Sequence, residues 1–302
     1  LPQNLPLSFL PKKNMKRRHA IRHVALLATT ALAGLPQMAL AKRKNYQIGA
    51  CDWSLGETCS PAVFDYAKEI GLDGVQLSYN KKGDETYLLR PENQRAMRQA
   101  AQRTGVKIAS LAIALLNDVP LKAPDQPQTV DWISGSIDAA KALGVKVVLL
   151  AFFSKNDLRN DPEGKKIVIE RLKQVTAKAE KNGVILGIES YLTAKEHLEI
   201  ITAVGSPNLQ VYYDPRNAAD ADNDVYSEIE MLGRKRLICE IHLKDNENLL
   251  GQGTLDWPRI KRVLNDVNYR GWAQIEWSVP KEKTIKESYP ANVKFARSVF
   301  DQ

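Results

Sequence analysis

Eight short apolar runs, each followed by a polar loop and a helical stretch, divide residues 46–300 into a steady strand-then-helix alternation. The runs lie at 46–51, 74–79, 106–114, 145–153, 185–189, 209–214, 238–242 and 272–276. Most are continuously apolar, the mark of strands covered on both faces by helices. Helices read at 91–104, 129–143 and 162–182 each stop at a glycine, Gly105, Gly144 and Gly183, the residue that best adopts the left-handed cap. Ser60 reads as the cap of an earlier helix with Pro61 at its first position and Gly71 at its end. Further helices are expected near 194–204, 224–236, 256–267 and 284–300. Eight such units leave no residues for a second domain, so residues 42–302 are expected to form a single α/β domain, a (β/α)8 TIM barrel. A doubly wound open sheet is the competitor, but no Gly-x-Gly-x-x-Gly opens a helix after a strand. The loop Gly251-Gln252-Gly253 is too short a signal for a dinucleotide.

The first 41 residues read differently. Met15 is followed by Lys16, Arg17, Arg18 and Arg22, an apolar run over 24–35, and Ala39-Leu40-Ala41. A basic start, an apolar middle and a small-x-small end are the layout of a secretory signal peptide at 15–41. Arg17-Arg18 hints at twin-arginine export, although His19 and Ala20 fit that pattern poorly and ordinary export stays open. Pro36 and the shortness of the run argue against a stable membrane span. Residues 1–14 read as upstream sequence, and the expected location is periplasmic. The leader holds six of the 43 Lys/Arg and no Asp/Glu, which leaves 37 basic against 35 acidic side chains afterwards. That near balance carries no nucleic-acid footprint. Cys51, Cys59 and Cys239 form no Cys-x-x-Cys. Cys51 and Cys59 could pair in an oxidising compartment, but read better as small buried residues.

The last four apolar runs each finish on a metal-ligating residue type: Glu189, Asp214, His242 and Glu276. Chemistry in such barrels sits at the C-terminal strand ends, so three carboxylates and one imidazole would converge there. Oxygen donors with a single nitrogen suit one divalent ion such as Mn²⁺, Mg²⁺ or Co²⁺ better than a thiolate-loving one. Carboxylates ending apolar strands are costly without a counter-charge; Lys244 or Arg216 could also supply it. Asp214 alone, before Pro215, would pass for a turn or cap residue. Positions two before each ligand share its face, namely Gly187, Tyr212, Glu240 and Gln274, and would form a hydrogen-bonding layer beneath. For Glu240 the outward orientation stays open. His197, in the charged run Lys195-Glu196-His197, reads as a solvated surface residue. Trp53, Tyr191, Asn217, Lys244 and Trp277 are the candidate substrate-binding walls, since aromatic rings near strand ends stack on sugar faces.

Gly187-Ile188-Glu189, Tyr213-Asp214-Pro215-Arg216-Asn217-Ala218, Ile241-His242-Leu243-Lys244-Asp245, Gly251-x-Gly253-x-Leu255-Asp256-Trp257 and Ile275-Glu276-Trp277 stand out together, with Gly71-Leu72-Asp73-Gly74-Val75-Gln76-Leu77 nearer the start. This set resembles the sugar phosphate isomerase/epimerase group, xylose isomerase-like TIM barrels that include ketose 3-epimerases and inosose dehydratases. The likeness spans residues 46–300 and is specific for the superfamily, not the substrate. It implies one divalent metal, often manganese, on Glu189, Asp214, His242 and Glu276, with Glu189 and Glu276 as the acid–base pair. Two carboxylates on opposite sides of a bound keto sugar or polyol would take an α-proton from one face and return it on the other, through an enediolate. Loss of a β-hydroxyl would make the enzyme a dehydratase or lyase on an oxidised sugar or inosose, and loss of turnover a sugar-binding barrel. Two departures bear on the substrate: Gln76 stands where many members carry glutamate, and Asn217 where the ketose epimerases often carry histidine. The superfamily's apurinic-site nucleases need a histidine-rich three-metal site, which two histidines after the leader do not provide.

Overall fold

The computed structural model describes residues 45–301; the expected signal peptide and the stretch before it lie outside the described residues. The strands are β1 (Tyr46–Cys51), β2 (Gly74–Ser78), β3 (Lys107–Ile113), β4 (Val147–Phe152), β5 (Ile185–Ser190), β6 (Leu209–Tyr213), β7 (Ile238–Leu243) and β8 (Gly271–Ile275). The helices are α1 (Val63–Glu69), α2 (Pro91–Thr104), α3 (Gln128–Leu143), α4 (Pro162–Asn182), α5 (Ala194–Val204), α6 (Pro215–Asp220), α7 (Val225–Arg234), α8 (Trp257–Asp266) and α9 (Ile285–Phe300). All eight strands are parallel and close into a barrel, with β1 returning to β8 from Tyr46↔Gly271 to Ala50↔Ile275. This is the expected (β/α)8 architecture. Among the described residues no helix is long and apolar enough to cross a membrane.

Burial explains why the strands read as apolar runs. Their outward residues, such as Ile48, Val75, Leu77, Val148, Leu150, Ile188 and Ile241, belong to the large core between barrel and helices. A smaller inner cluster, Ala112, Val147, Leu149, Ala151 and Tyr212, fills the lumen on the β3–β6 side. Gly187 is required there by close approach, because a methyl group at its position would lie 2.7 Å from Cys239 Sγ and 3.1 Å from Tyr212 Cβ.

Two register shifts shape the interior. Pairing of β2 with β3 jumps from Val75↔Ile108 to Gln76↔Ser110, and that of β6 with β7 from Val211↔Ile238 to Tyr212↔Glu240. Each bulge inserts one residue, Ala109 or Cys239, and re-aims those that follow. Ser110 and Glu240 thereby meet inside the barrel. At α1 the sequence reading is corrected: the helix begins at Val63, and Ser60 Oγ instead accepts from Ala62 N at 3.2 Å within the preceding turn. Cys51 and Cys59 are free and buried.

Candidate active site

The C-terminal mouth of the barrel collects its charged residues from the last four strands. Glu189 points inward from β5 and His242 from β7, and Glu276 follows β8. Asp214 directly follows β6 and caps α6, its Oδ1 accepting from Arg216 N at 2.7 Å and Asn217 N at 3.2 Å. One ligand atom from each of the four lies within 4.8 Å of all the others. Capping uses one oxygen of Asp214; its Oδ2 is buried with no hydrogen-bond partner.

Neighbouring side chains hold these acids in place. Asn217 Nδ2 donates to Glu189 Oε1 at 3.2 Å, and Trp53 Nε1 donates to Glu276 Oε1 at 3.1 Å. Lys244 Nζ lies 3.1 Å from Glu276 Oε2 and 3.6 Å from Asp214 Oδ2, and donates to Asn217 Oδ1 at 3.0 Å. His242 Nδ1 is 2.8 Å from Glu189 Oε1 and 3.7 Å from Glu276 Oε2.

A buried polar chain leads down from the other imidazole nitrogen. His242 Nε2 is 3.0 Å from Gln76 Oε1, Gln76 Nε2 donates to Ser110 Oγ at 3.1 Å, and Ser110 Oγ donates to Glu240 Oε2 at 2.8 Å. Tyr212 donates to the same Glu240 oxygen at 3.1 Å. Burial raises Glu240 to about 7, and in its ionised form this carboxylate end sets the direction of every link. Ser110 gives its proton to Glu240 and so accepts from the Gln76 amide, which turns the Gln76 carbonyl toward His242. His242 Nε2 must then carry a proton, and Nδ1, facing the acids, is the nitrogen that exchanges one. Cys51 Sγ joins the junction, 3.2 Å from Gln76 Oε1. Glu240 therefore points inward, resolving the orientation left open above. Gln76 stood out in the sequence only as a departure from the family pattern, and Ser110 and Cys51 carried no signal as members of this chain; for Ser110 the β3 bulge breaks the simple alternation that would align it.

Beside the acids opens a cavity of about 310 Å³, lined by Trp53, Tyr191, Asn217, Lys244, Trp277, Glu189 and Glu276 together with an apolar far wall from β3 and β4. All five wall candidates are brought together here, while Asp214 and His242 lie beneath. The Tyr191 ring packs edge-on against Phe153 at 5.0 Å and carries the Arg159 guanidinium 4.4 Å above it. Trp277 is 49% exposed, and both it and Ser278 have positive φ, 50° and 61°. Such backbone is strained for non-glycine residues; here Trp277 N is held by Ser54 Oγ at 3.0 Å and Ser278 O by Asn292 Nδ2 at 2.8 Å. His197 corrects the surface reading. It is buried, with Nε2 2.9 Å from Ser190 Oγ and Nδ1 3.1 Å from Thr193 O. It tethers α5 to the end of β5, and burial lowers its pKa to about 4.

Electrostatics at the mouth balance burial against mutual attraction. Burial alone would lower the His242 pKa, but the charges of Glu189 and Glu276 outweigh it and lift it to about 9. Burial raises Glu189 to about 7 against the pull of His242. Burial acts the same way on Glu276, yet Lys244 and His242 hold it below the ordinary carboxylate value. Three acids thus lean on two cationic side chains. The Asp214 oxygen that accepts no hydrogen bond, the oxygen-rich donor set and the inward-facing Nδ1 fit a hard or borderline divalent cation.

An eight-stranded parallel barrel whose C-terminal mouth gathers three carboxylates and an imidazole defines a class before any comparison: a TIM barrel built around a cluster of residues of the types that could hold a metal ion. Within that class the chain belongs to the family described as xylose isomerase-like TIM barrel, which matches residues 64–299. Among curated proteins it is 27% identical over 201 residues to the 2-epi-5-epi-valiolone 7-phosphate 2-epimerase of Actinoplanes sp. (strain ATCC 31044 / CBS 674.73 / SE50/110), covering 66% of this chain and 72% of that protein. It is 28% identical over 266 residues to an Escherichia coli (strain K12) protein provisionally named L-ribulose-5-phosphate 3-epimerase SgbU, covering 80% of this chain and 91% of the relative. Among solved structures, a D-psicose 3-epimerase in the presence of D-fructose superposes with a TM-score of 0.71 at 16% identity, covering 85% of this chain and all of the other (100%). That likeness concerns the fold.

Proposed function

We propose that the chain is a divalent-metal-dependent isomerase or epimerase acting on a keto sugar or related polyol, with Glu189 and Glu276 as its acid–base pair. The observation that carries the reading is the placement of these two carboxylates. They come from β5 and β8, reach within 4.8 Å of each other, and both border the same sugar-sized cavity. The family, and relatives named as epimerases, support the same reaction class.

Glu189, Asp214, His242 and Glu276 would hold the ion, Nδ1 of His242 giving its lone pair in place of the proton it now shares with Glu189. When bound, a divalent cation supplies Lewis-acid stabilisation of the charge that develops on the substrate oxygens. One glutamate removes the proton α to the carbonyl and the other returns a proton to the opposite face, which inverts the carbon. Asn217 and Trp53 each fix one carboxylate oxygen, so the remaining oxygen of each acid keeps a set direction. Lys244 neutralises Glu276 and presents an ammonium to a substrate hydroxyl. Trp53, Tyr191 and Trp277 offer ring faces to the sugar and screen the reacting carbon from water.

The test is exchange of a substrate α-proton in D₂O with Mn²⁺, screened over keto sugars and inososes. An epimeric product supports this reading. A dehydrated product would move the chain to the lyases, and binding without exchange would leave a sugar-binding barrel. Export is proposed alongside, supported by the basic start, apolar run and Ala39-Leu40-Ala41 of residues 15–41. Sequencing the N-terminus of periplasmic protein should find cleavage after Ala41; an intact leader on a cytoplasmic product would overturn it.

A further inference from the structure

We propose that the substrate of this site is unphosphorylated: a neutral polyol ketone and not a sugar phosphate ester. The inference rests on the isomerase or epimerase reading and narrows it. In barrels of this type a phosphate is commonly anchored where the loops after β7 and β8 meet a helix N-terminus, on converging backbone N–H groups. Here the chain's own acids fill those places, Glu287 Oε2 at the N-terminus of α9 accepting from Thr284 N at 2.7 Å, and Asp245 and Asp256 in the loop after β7. Asp245, directly after Lys244 and 1% exposed, accepts from Gly251 N at 2.6 Å and from Trp257 Nε1 at 2.9 Å through Oδ2. The glycine loop closes so tightly that a methyl group on Gly253 would lie 2.5 Å from Asp245 Oδ1. The N-terminus of α8 is likewise taken, with Asp256 Oδ1 accepting from Arg259 N at 2.9 Å.

The cationic side chains are also engaged. Among the described residues lining the cavity, Lys244 is the one cation, and Glu276, Asp214 and Asn217 share its ammonium. Arg159, above Tyr191, is paired with Asp157 at 2.6 Å. Arg216 is paired with Asp220 and donates to Thr254 Oγ1 at 3.0 Å. With a divalent ion bound and His242 neutral as its ligand, three carboxylates against Lys244 and the ion would make a site of zero formal charge, so a phosphate dianion would enter with both charges uncompensated. Uncharged hydroxyls suit the site: the far wall is apolar apart from Asn117, a neutral side chain whose Oδ1 already accepts from Phe153 N at 2.9 Å.

The experiment pairs each free ketose with its ester: D-psicose with D-psicose 6-phosphate, L-ribulose with L-ribulose 5-phosphate, and further pairs for any sugar that exchanges. With Mn²⁺-loaded protein in D₂O, kcat/KM for exchange should be roughly 100-fold or more higher for the free sugar, the penalty of an unpaired buried charge. In parallel, about 10 mM inorganic phosphate should leave the Tm of Mg²⁺-loaded protein unmoved, since a ligand stabilises only if it binds the folded state. Exchange that is equal or faster on the ester overturns this inference and leaves the isomerase reading standing. No exchange with any pair counts against the isomerase reading instead. The phosphate titration then decides by itself: a rise in Tm overturns the inference, and an unmoved Tm upholds it.

Discussion

His242 is useful as a ligand only if the right nitrogen faces the cluster, and that choice is made three side chains away. Gln76, Ser110 and Glu240 pass a direction up the lumen that ends in a proton on Nε2. Replacing Gln76 with leucine removes that oxygen acceptor and leaves buried Nε2 with only the weaker partner Cys51 Sγ, 3.4 Å away. Divalent-ion affinity, read by calorimetry, should weaken by roughly 10–100-fold, the usual range for partners that orient a ligand. An unchanged affinity would show that the tautomer is set elsewhere. Glu276→Gln keeps the shape and loses the base, so α-proton exchange should fall on the order of 10³-fold while sugar binding persists. Turnover equal to wild type would remove the acid–base assignment. The four ligand-type residues were legible because each closes an apolar run. Gln76 was legible only as a departure from a family pattern, since nothing local in Gly74-Val75-Gln76-Leu77-Ser78 says that it touches a histidine 166 residues away.

At the scale of elements, α5 depends on a residue that a charged neighbourhood disguised. Lys195-Glu196-His197 reads as surface, yet a helix has two faces, and His197 lies on the one that packs toward β5, bonded to Ser190 and Thr193. Its pKa, about 4 when folded against an ordinary value near 6.5, means that the unfolded chain binds the proton more readily. The contribution of His197 to stability is therefore complete above about pH 6.5 and is lost as pH falls through 4, by about 3 kcal/mol in all. Asp52, raised to about 6 by burial, acts with the opposite sign over an overlapping range, so the comparison must be between variants. His197→Gln should flatten the loss of urea midpoint between pH 7 and 4.5 relative to wild type; parallel curves would refute the buried neutral ring. The short α6 was missed although Asp214-Pro215 is a cap followed by a first-turn proline, because that pair also opens turns. The bulges at Ala109 and Cys239 leave no mark in composition, and they decide which polar residues meet inside.

Over the whole molecule the alternation was legible from end to end, since parallel strands buried on both sides cannot tolerate many polar residues. Closure of the ring was not, for it depends on pairing between β1 and β8, whose first residues are 225 positions apart. The crowding of three acids predicts a large response to metal. At an ion concentration 100-fold above its Kd the folded state gains about 2.7 kcal/mol, so chelation with EDTA should lower Tm by roughly 5–10 °C. A Tm indifferent to chelator would mean that Lys244 and His242 already satisfy the cluster unaided. The bond from Trp53 to Glu276 joins the first loop of the barrel to its last strand across 223 residues. A nascent chain halted anywhere before that closing stave owns most of the parts and none of the machine. Synthesis, and any passage through a membrane as an open chain, would therefore proceed in a catalytically silent form, with activity switched on only by the final stitch.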